Sequence, residues 1–145
     1  MKFDKEKSAG YLVNHVARLF ATGLQDRIAP LGITIGQFPI LLELWSKDGV
    51  TQRDLLAKLA LEQATLANTL NRMERDHLIM RKKHPSDARS QQIWLTDKAK
   101  AQMERAYEAA NAQNEKSLMP LSEAERAQFL DFMRRIIVGT NGGRA

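Results

Sequence analysis

Residues 51–95, TQRDLLAKLALEQATLANTLNRMERDHLIMRKKHPSDARSQQIWL, read as two short helices followed by a basic hairpin. Inside this stretch, Glu62–Asp76 (EQATLANTLNRMERD) puts Leu66, Leu70 and Met73 on one side of a helix that turns about 100° per residue. Ala64, Thr65, Asn68, Asn71, Arg72 and Arg75 fall on the other side. That second set offers amides, a hydroxyl, a methyl and two guanidinium groups, which can hydrogen-bond or pack against base edges in a DNA major groove. Taken alone, such a helix is more often an amphipathic surface helix with a solvated face. The residues after it change the balance.

From Leu78 the chain runs LIMRKKHPSDARSQQIWLT, with strand-like segments at 78–83 and 91–95 on either side of a tip built from Pro85, Ser86, Asp87 and Ala88. Arg81, Lys82 and Lys83 stand in succession on the first strand and Arg89 just past the tip, so cations project from both sides of the ribbon. Charges this dense belong in solvent or on phosphate. An isolated basic triplet commonly protects a short edge strand from mispairing; directly behind a polar-faced helix it reads as a wing. Residues 63–100 hold eight Lys/Arg against four Asp/Glu, and so four of the chain's net +5. Concentrated in one segment, with a sequence pI near 9.7, this is the electrostatic footprint of a nucleic-acid binder.

Composition bounds the rest. The 145 residues, 43% of them hydrophobic, suit one domain with extended dimerisation helices. No apolar run reaches the roughly 18 residues of a membrane span, and the charged start MKFDKEKSAG lacks the features of a signal peptide, so a cytoplasmic protein with no membrane partner is expected. Zero cysteines exclude disulfides, thiolate metal sites and thiol redox switching. The closing GTNGGRA reads as flexible.

Helices surround the central module. From Ser8 to Ala29, Leu12, Val16, Leu19 and Gly23 recur at helical spacing with Val13, Phe20, Leu24 and Ile28 beside them, until Pro30 and Gly32 end the helix. Thr34 and Gln37 form a capping-box signature for a helix over 35–46 that is apolar almost all round (Ile35, Phe38, Ile40, Leu41, Leu42, Leu44, Trp45) and belongs in the hub of the fold. Thr51 and Asp54 open the next helix in the same manner, with Leu55, Leu56 and Leu59 inward. Thr96 and Asp97 cap a long, Ala-rich helix toward Ser117, and Ser122 with Glu125 caps a last one carrying Phe129, Phe132, Met133, Ile136 and Ile137. Left uncovered, those side chains make an aggregation-prone patch. The first helix offers a matching apolar stripe, so the two termini are expected to pack together and against the same pair in a second subunit, as a twofold homodimer.

The chain resembles the multiple antibiotic resistance regulator (MarR) family of bacterial transcription factors over nearly its whole length. The resemblance is carried by LGIT followed by Gln37, by TLANTLNRMERDHLIMR, by the wing element Asp87-Ala88-Arg89-Ser90 and by LTDKAK. His77 and Ala99 stand where the family usually has glycine; histidine tolerates a left-handed backbone better than most residues, and alanine suits a helix interior. The implied fold is mainly α with a small β-wing: a winged helix-turn-helix over residues 34–97 between dimerisation helices at 8–30 and 100–138, all one domain over 1–145. The resemblance further implies that Gln63, Ala64, Thr65, Asn68 and Arg72 contact bases and phosphates in the major groove, with Arg75 on the same exposed face. Arg89 would enter the adjacent minor groove, oriented by Asp87, while Arg81, Lys82 and Lys83 fasten the wing to phosphates. The partner is then double-stranded DNA with a pseudo-palindromic operator.

Many family members release DNA when a small aromatic acid or phenol enters a crevice between the dimerisation helices and the DNA-binding module. Here His15 and Arg18 would be anion partners and Phe38 and Trp45 apolar walls, although the buried second helix favours core positions for the last two. His15, His77 and His84 lie in three different elements with no i, i+4 pair, so no metal site is expected. No phosphate loop, HExxH or nucleophile elbow occurs, and neither an enzyme nor a cofactor is expected. A dimeric sequence-specific regulator, usually a repressor, is the leading reading. The other is a winged-helix protein used for non-specific DNA binding or protein contacts.

Overall fold

The computed structural model describes residues 2–140. Its elements are α1 (Ala9–Ile28), α2 (Phe38–Ser46), β1 (Val50–Thr51), α3 (Gln52–Lys58), α4 (Gln63–Arg75), β2 (Ile79–Lys83), β3 (Gln91–Leu95), α5 (Asp97–Ser117) and α6 (Glu123–Thr140), with short 3-10 turns at Lys5–Lys7 and Ala29–Leu31. The expected mainly α architecture with a small β-wing is what forms. Of the closing GTNGGRA, Gly139 and Thr140 end α6, and residues 141–145 lie outside the described residues. No described helix is long and apolar enough to cross a membrane.

Side-chain caps set most helix starts. Ser8 accepts from Tyr11 N, Thr51 from Asp54 N and Thr96 from Ala99 N, and Asp54 returns the bond to Thr51 N as a complete capping box. Ser122 and Glu125 form the same reciprocal pair before α6. Thr34 and Gln37 do so too, but the regular part of α2 begins only at Phe38. Pro39 has no N–H to reach the carbonyl of Ile35, so residues 35–37 close a turn ahead of the helix instead of its first turn.

The core gathers around α2. Ile40, Leu41 and Leu44 are fully buried against Leu55 of α3, Leu66, Leu70 and Met73 of α4, and Ile79, Ile93 and Leu95 of the sheet. Two expectations about burial fail. Trp45 is 42% exposed, its ring edge-on to Tyr107 of α5, because it lies on the outward side of the short α2 helix. Helix α1 lies along α5, not α6, with Leu24 packed on the core and Ile28 buried; Ala99, Met103 and Ala106 of α5 are buried, and α6 buries no residue within the chain. Small side chains on α5 permit the close approach that its weak apolar pattern concealed. Leu12, Val13, Val16 and Leu19 of α1 and Leu130, Phe132, Ile136, Ile137 and Val138 of α6 remain exposed.

The sheet is antiparallel in the order β1-β3-β2, with Ile79 opposite Leu95, Arg81 opposite Ile93 and Lys83 opposite Gln91. β1 adds a third strand by pairing Val50 with Ile93. Two residues have no periodicity, so this strand is invisible in the sequence.

Candidate nucleic-acid interface

α4 buries Leu66, Leu70 and Met73 and leaves Gln63, Ala64, Thr65, Asn68, Asn71, Arg72 and Arg75 exposed, as its periodicity dictates. The helix ends in a Schellman motif: Leu78 N donates to Met73 O at 2.8 Å, His77 N donates to Glu74 O at 3.1 Å, and His77 takes φ 61°. His77 therefore occupies the left-handed position that the departure from glycine put in question. Its carbonyl accepts from Thr96 Oγ1 at 2.6 Å, and Lys98 Nζ donates to the Asp76 carbonyl at 3.0 Å, so the start of α5 holds the end of α4. From the other side, buried Gln37 reaches Asp76 Oδ2 at 3.5 Å.

The wing tip is ordered mainly through Asp87. Its carboxylate accepts from Arg89 N at 3.0 Å and from Ser90 Oγ at 3.2 Å, while Ser86 N donates to His84 Nδ1 at 3.1 Å. The backbone bond from Arg89, then the Ser90 hydroxyl, holds the Asp87 carboxyl below its ordinary range. Asp87 thus acts on the main chain of the tip, bonding the Arg89 backbone and not its guanidinium, and the Arg89 side chain stays exposed. Among the described residues, no ion pair engages Arg72, Lys82, Lys83 or Arg89. Arg75 is paired with Asp76 at 3.2 Å.

The three wing cations expected on phosphates separate. Strand alternation sends Arg81 to the same face as buried Ile79 and Ile93, and there its Nη1 donates to Asn71 Oδ1 at 3.1 Å and Glu74 Oε1 at 3.3 Å on α4. Arg81 is therefore engaged within the fold, whereas no ion pair holds Lys82 or Lys83 among the described residues. Lys82 points to the opposite face, its ammonium 5.1 Å from the centre of the Trp94 ring. Trp94 itself packs over Gly49. The sequence reading missed both arrangements: parity along the hairpin puts Arg81 on one face with Ile93 and Lys82 on the other with Trp94, but it does not name the partners on α4.

The four effector candidates are not brought together. His15 and Arg18 are exposed on α1, Phe38 is buried in the core, and Trp45 rests against Tyr107. A separate cleft of about 320 Å³ opens between α1, α5 and the turn before α2. Phe20, Leu24, Ile35 and Ala110 line it with the amides of Gln113 and Asn114, and none of the four candidates does.

Comparisons with known proteins converge. The MarR family profile matches residues 33–91. The organic hydroperoxide resistance transcriptional regulator of Bacillus subtilis is 32% identical over 110 residues, 74% of this chain and 75% of that one. The transcriptional regulator BilQ of Clostridium symbiosum is 23% identical over 131 residues, 90% of this chain and 91% of that one. Among solved structures, a MarR transcriptional regulator from Methanosarcina mazei aligns with TM-score 0.81 at 25% identity, covering 92% of this chain and 94% of that one. The PcaV regulator of Streptomyces coelicolor, crystallised with its natural ligand, aligns with TM-score 0.83 at 24% identity, covering 97% and 99%. A polar-faced helix joined to a basic wing, on a scaffold shared with these regulators, places the chain in the MarR family of winged helix-turn-helix transcriptional regulators, which bind DNA.

Proposed function

We propose that the protein is a cytoplasmic homodimer that binds a pseudo-palindromic operator, represses transcription from it, and is released by a small aromatic or phenolic effector. The carrying observation is the exposed polar face of α4 joined to a wing whose Lys82, Lys83 and Arg89 have no ion-pair partner among the described residues. On this reading Gln63, Ala64, Thr65 and Asn68 meet base edges in the major groove, and Arg72, Arg75, Lys82 and Lys83 meet phosphates. Arg89 enters the minor groove from a tip held by Asp87. The exposed apolar side chains of α1 and α6 supply the dimer contact, and a dyad sets two half-sites about 10 bp apart.

The effector reading rests on the cleft between α1 and α5, which is apolar with two amides at its edge. PcaV, of the same fold, is known with a natural ligand. An effector must bind the DNA-incompetent spacing of the two α4 helices more tightly than the competent one.

A shift assay tests the proposal, using duplex from the intergenic region upstream of the protein's own gene against random duplex of equal length. Binding to the upstream fragment is expected to be about a thousandfold tighter or more at physiological salt. Equal affinity for every duplex would instead establish a non-specific binder. A panel of phenolic acids should contain a compound that raises the melting midpoint and weakens the shift; if none does either, the effector part of the proposal fails.

A further inference from the structure

We infer that Arg81 is a specificity-positioning residue: it turns the amide oxygen of Asn71 toward itself, so that α4 presents the hydrogen-bond donor of that amide to one base pair of each half-site. The inference rests on the proposed base readout by α4 and concerns how one position of it is set.

The geometry comes from two periodicities. Along α4, Asn71 lies about 60° from Asn68 and Glu74 about 60° further in the same direction, at about 100° per residue. Both lie on the flank of the exposed face, and strand alternation in β2 turns Arg81 toward that flank. Arg81 Nη1 then lies 3.1 Å from Asn71 Oδ1 and 3.3 Å from Glu74 Oε1, with only 19% of the Arg81 side chain exposed. A guanidinium partly withdrawn from solvent is favoured by a carboxylate beside it, and Glu74 supplies one.

Chemistry then fixes the amide. Guanidinium has donors and no acceptor, so the end of Asn71 that faces it must be the oxygen. The Nδ2 group then lies on the side of the amide away from Arg81. A free asparagine pairs with adenine through both amide atoms at once, donating to N7 and accepting from N6. With Oδ1 aimed at Arg81 and one of its two lone pairs taken, Asn71 leads with its donor, which suits guanine O6 or N7, thymine O4 or adenine N7. Arg81 therefore acts on sequence preference and Lys82 on phosphate affinity, although the two are adjacent in the chain.

Selection from a randomised duplex pool, followed by binding of the enriched duplexes at several salt concentrations, tests this with the full-length protein. Arg81→Met should change base preference at one symmetry-related pair of positions, by about tenfold and toward adenine, and leave the salt dependence as in wild type. Lys82→Ala should do the reverse, weakening all duplexes alike and lowering the salt slope by about one. Asn71→Ala and Asn71→Asp change an exposed side chain and leave folding intact even if the Arg81 variant does not fold. Both should erase the preference at that same position, the aspartate because it can accept from Arg81 but has no donor to offer. Should Arg81→Met reduce affinity uniformly together with the salt slope, Arg81 is a phosphate ligand and the inference is overturned. It is equally overturned if the Asn71 variants select the wild-type motif. A wild-type protein that selects no motif would refute the proposed sequence-specific function itself, a different outcome from either.

Discussion

Gly49 has φ +72°, and a Cβ built there would stand 2.6 Å from Cζ2 of Trp94. Alanine at 49 combines a left-handed backbone cost with overpacking against the indole, and about 2–4 kcal/mol of destabilisation is expected in urea unfolding. Trp94 in turn carries the Lys82 ammonium on its face, so wing stability and wing charge share one side chain. The two kinds of DNA contact separate by mutation. Arg89→Ala should weaken binding most at operators with an A/T-rich flank, where a narrow minor groove concentrates negative potential. Lys82→Ala should weaken every duplex alike; titrations on A/T- and G/C-flanked versions of one site compare them.

At the scale of elements, caps govern the helix-turn-helix. His77 holds the C-terminal position of α4 at φ 61° with its side chain exposed. His77→Gly removes the steric cost of that conformation at a smaller entropic cost, and a gain of about 0.5–1 kcal/mol is expected by thermal unfolding. At the other end of the motif, Asp54 accepts from Thr51 N at 3.0 Å, and this bond, followed by the Thr51 hydroxyl, holds its carboxyl below the ordinary range. A depressed carboxyl stabilises the fold above its unfolded-state value, about 3.9, and loses that contribution as the pH falls through the lower folded value. The gap in melting midpoint between wild type and Asp54→Ala should therefore be full at pH 7 and close progressively below about pH 4.

At the scale of the whole molecule, α6 buries none of its residues, and Phe132, Ile136 and Ile137 stand 49%, 63% and 58% exposed. In the proposed dimer a second copy covers this apolar surface. Ile136→Asp with Ile137→Asp should give single chains by light scattering at micromolar concentration, with the helix-turn-helix still folded by circular dichroism. Binding to a two-half-site operator should fall by orders of magnitude in the same variant, because the avidity of linked half-sites is lost. A dimer that survives this change would place the interface elsewhere.

Local order determined much of this protein. The polar face of α4 followed from a spacing of three and four residues, the hairpin from two short runs about a turn-forming tip, and the helix starts from Thr51, Thr96 and Ser122, because caps and periodicities act within a few residues. Tertiary structure alone decided which equivalent-looking residues share a fate. Arg81, Lys82 and Lys83 are one basic triplet in the sequence, yet the register of β2 and the path of α4 give Arg81 to Asn71 and Glu74, and Lys82 to Trp94. The exposure of Trp45, the seat of α1 along α5 and the two-residue strand β1 are of the same kind. Each depends on contacts between residues far apart in the chain, and a periodicity shows that a side chain points inward without naming what it meets there.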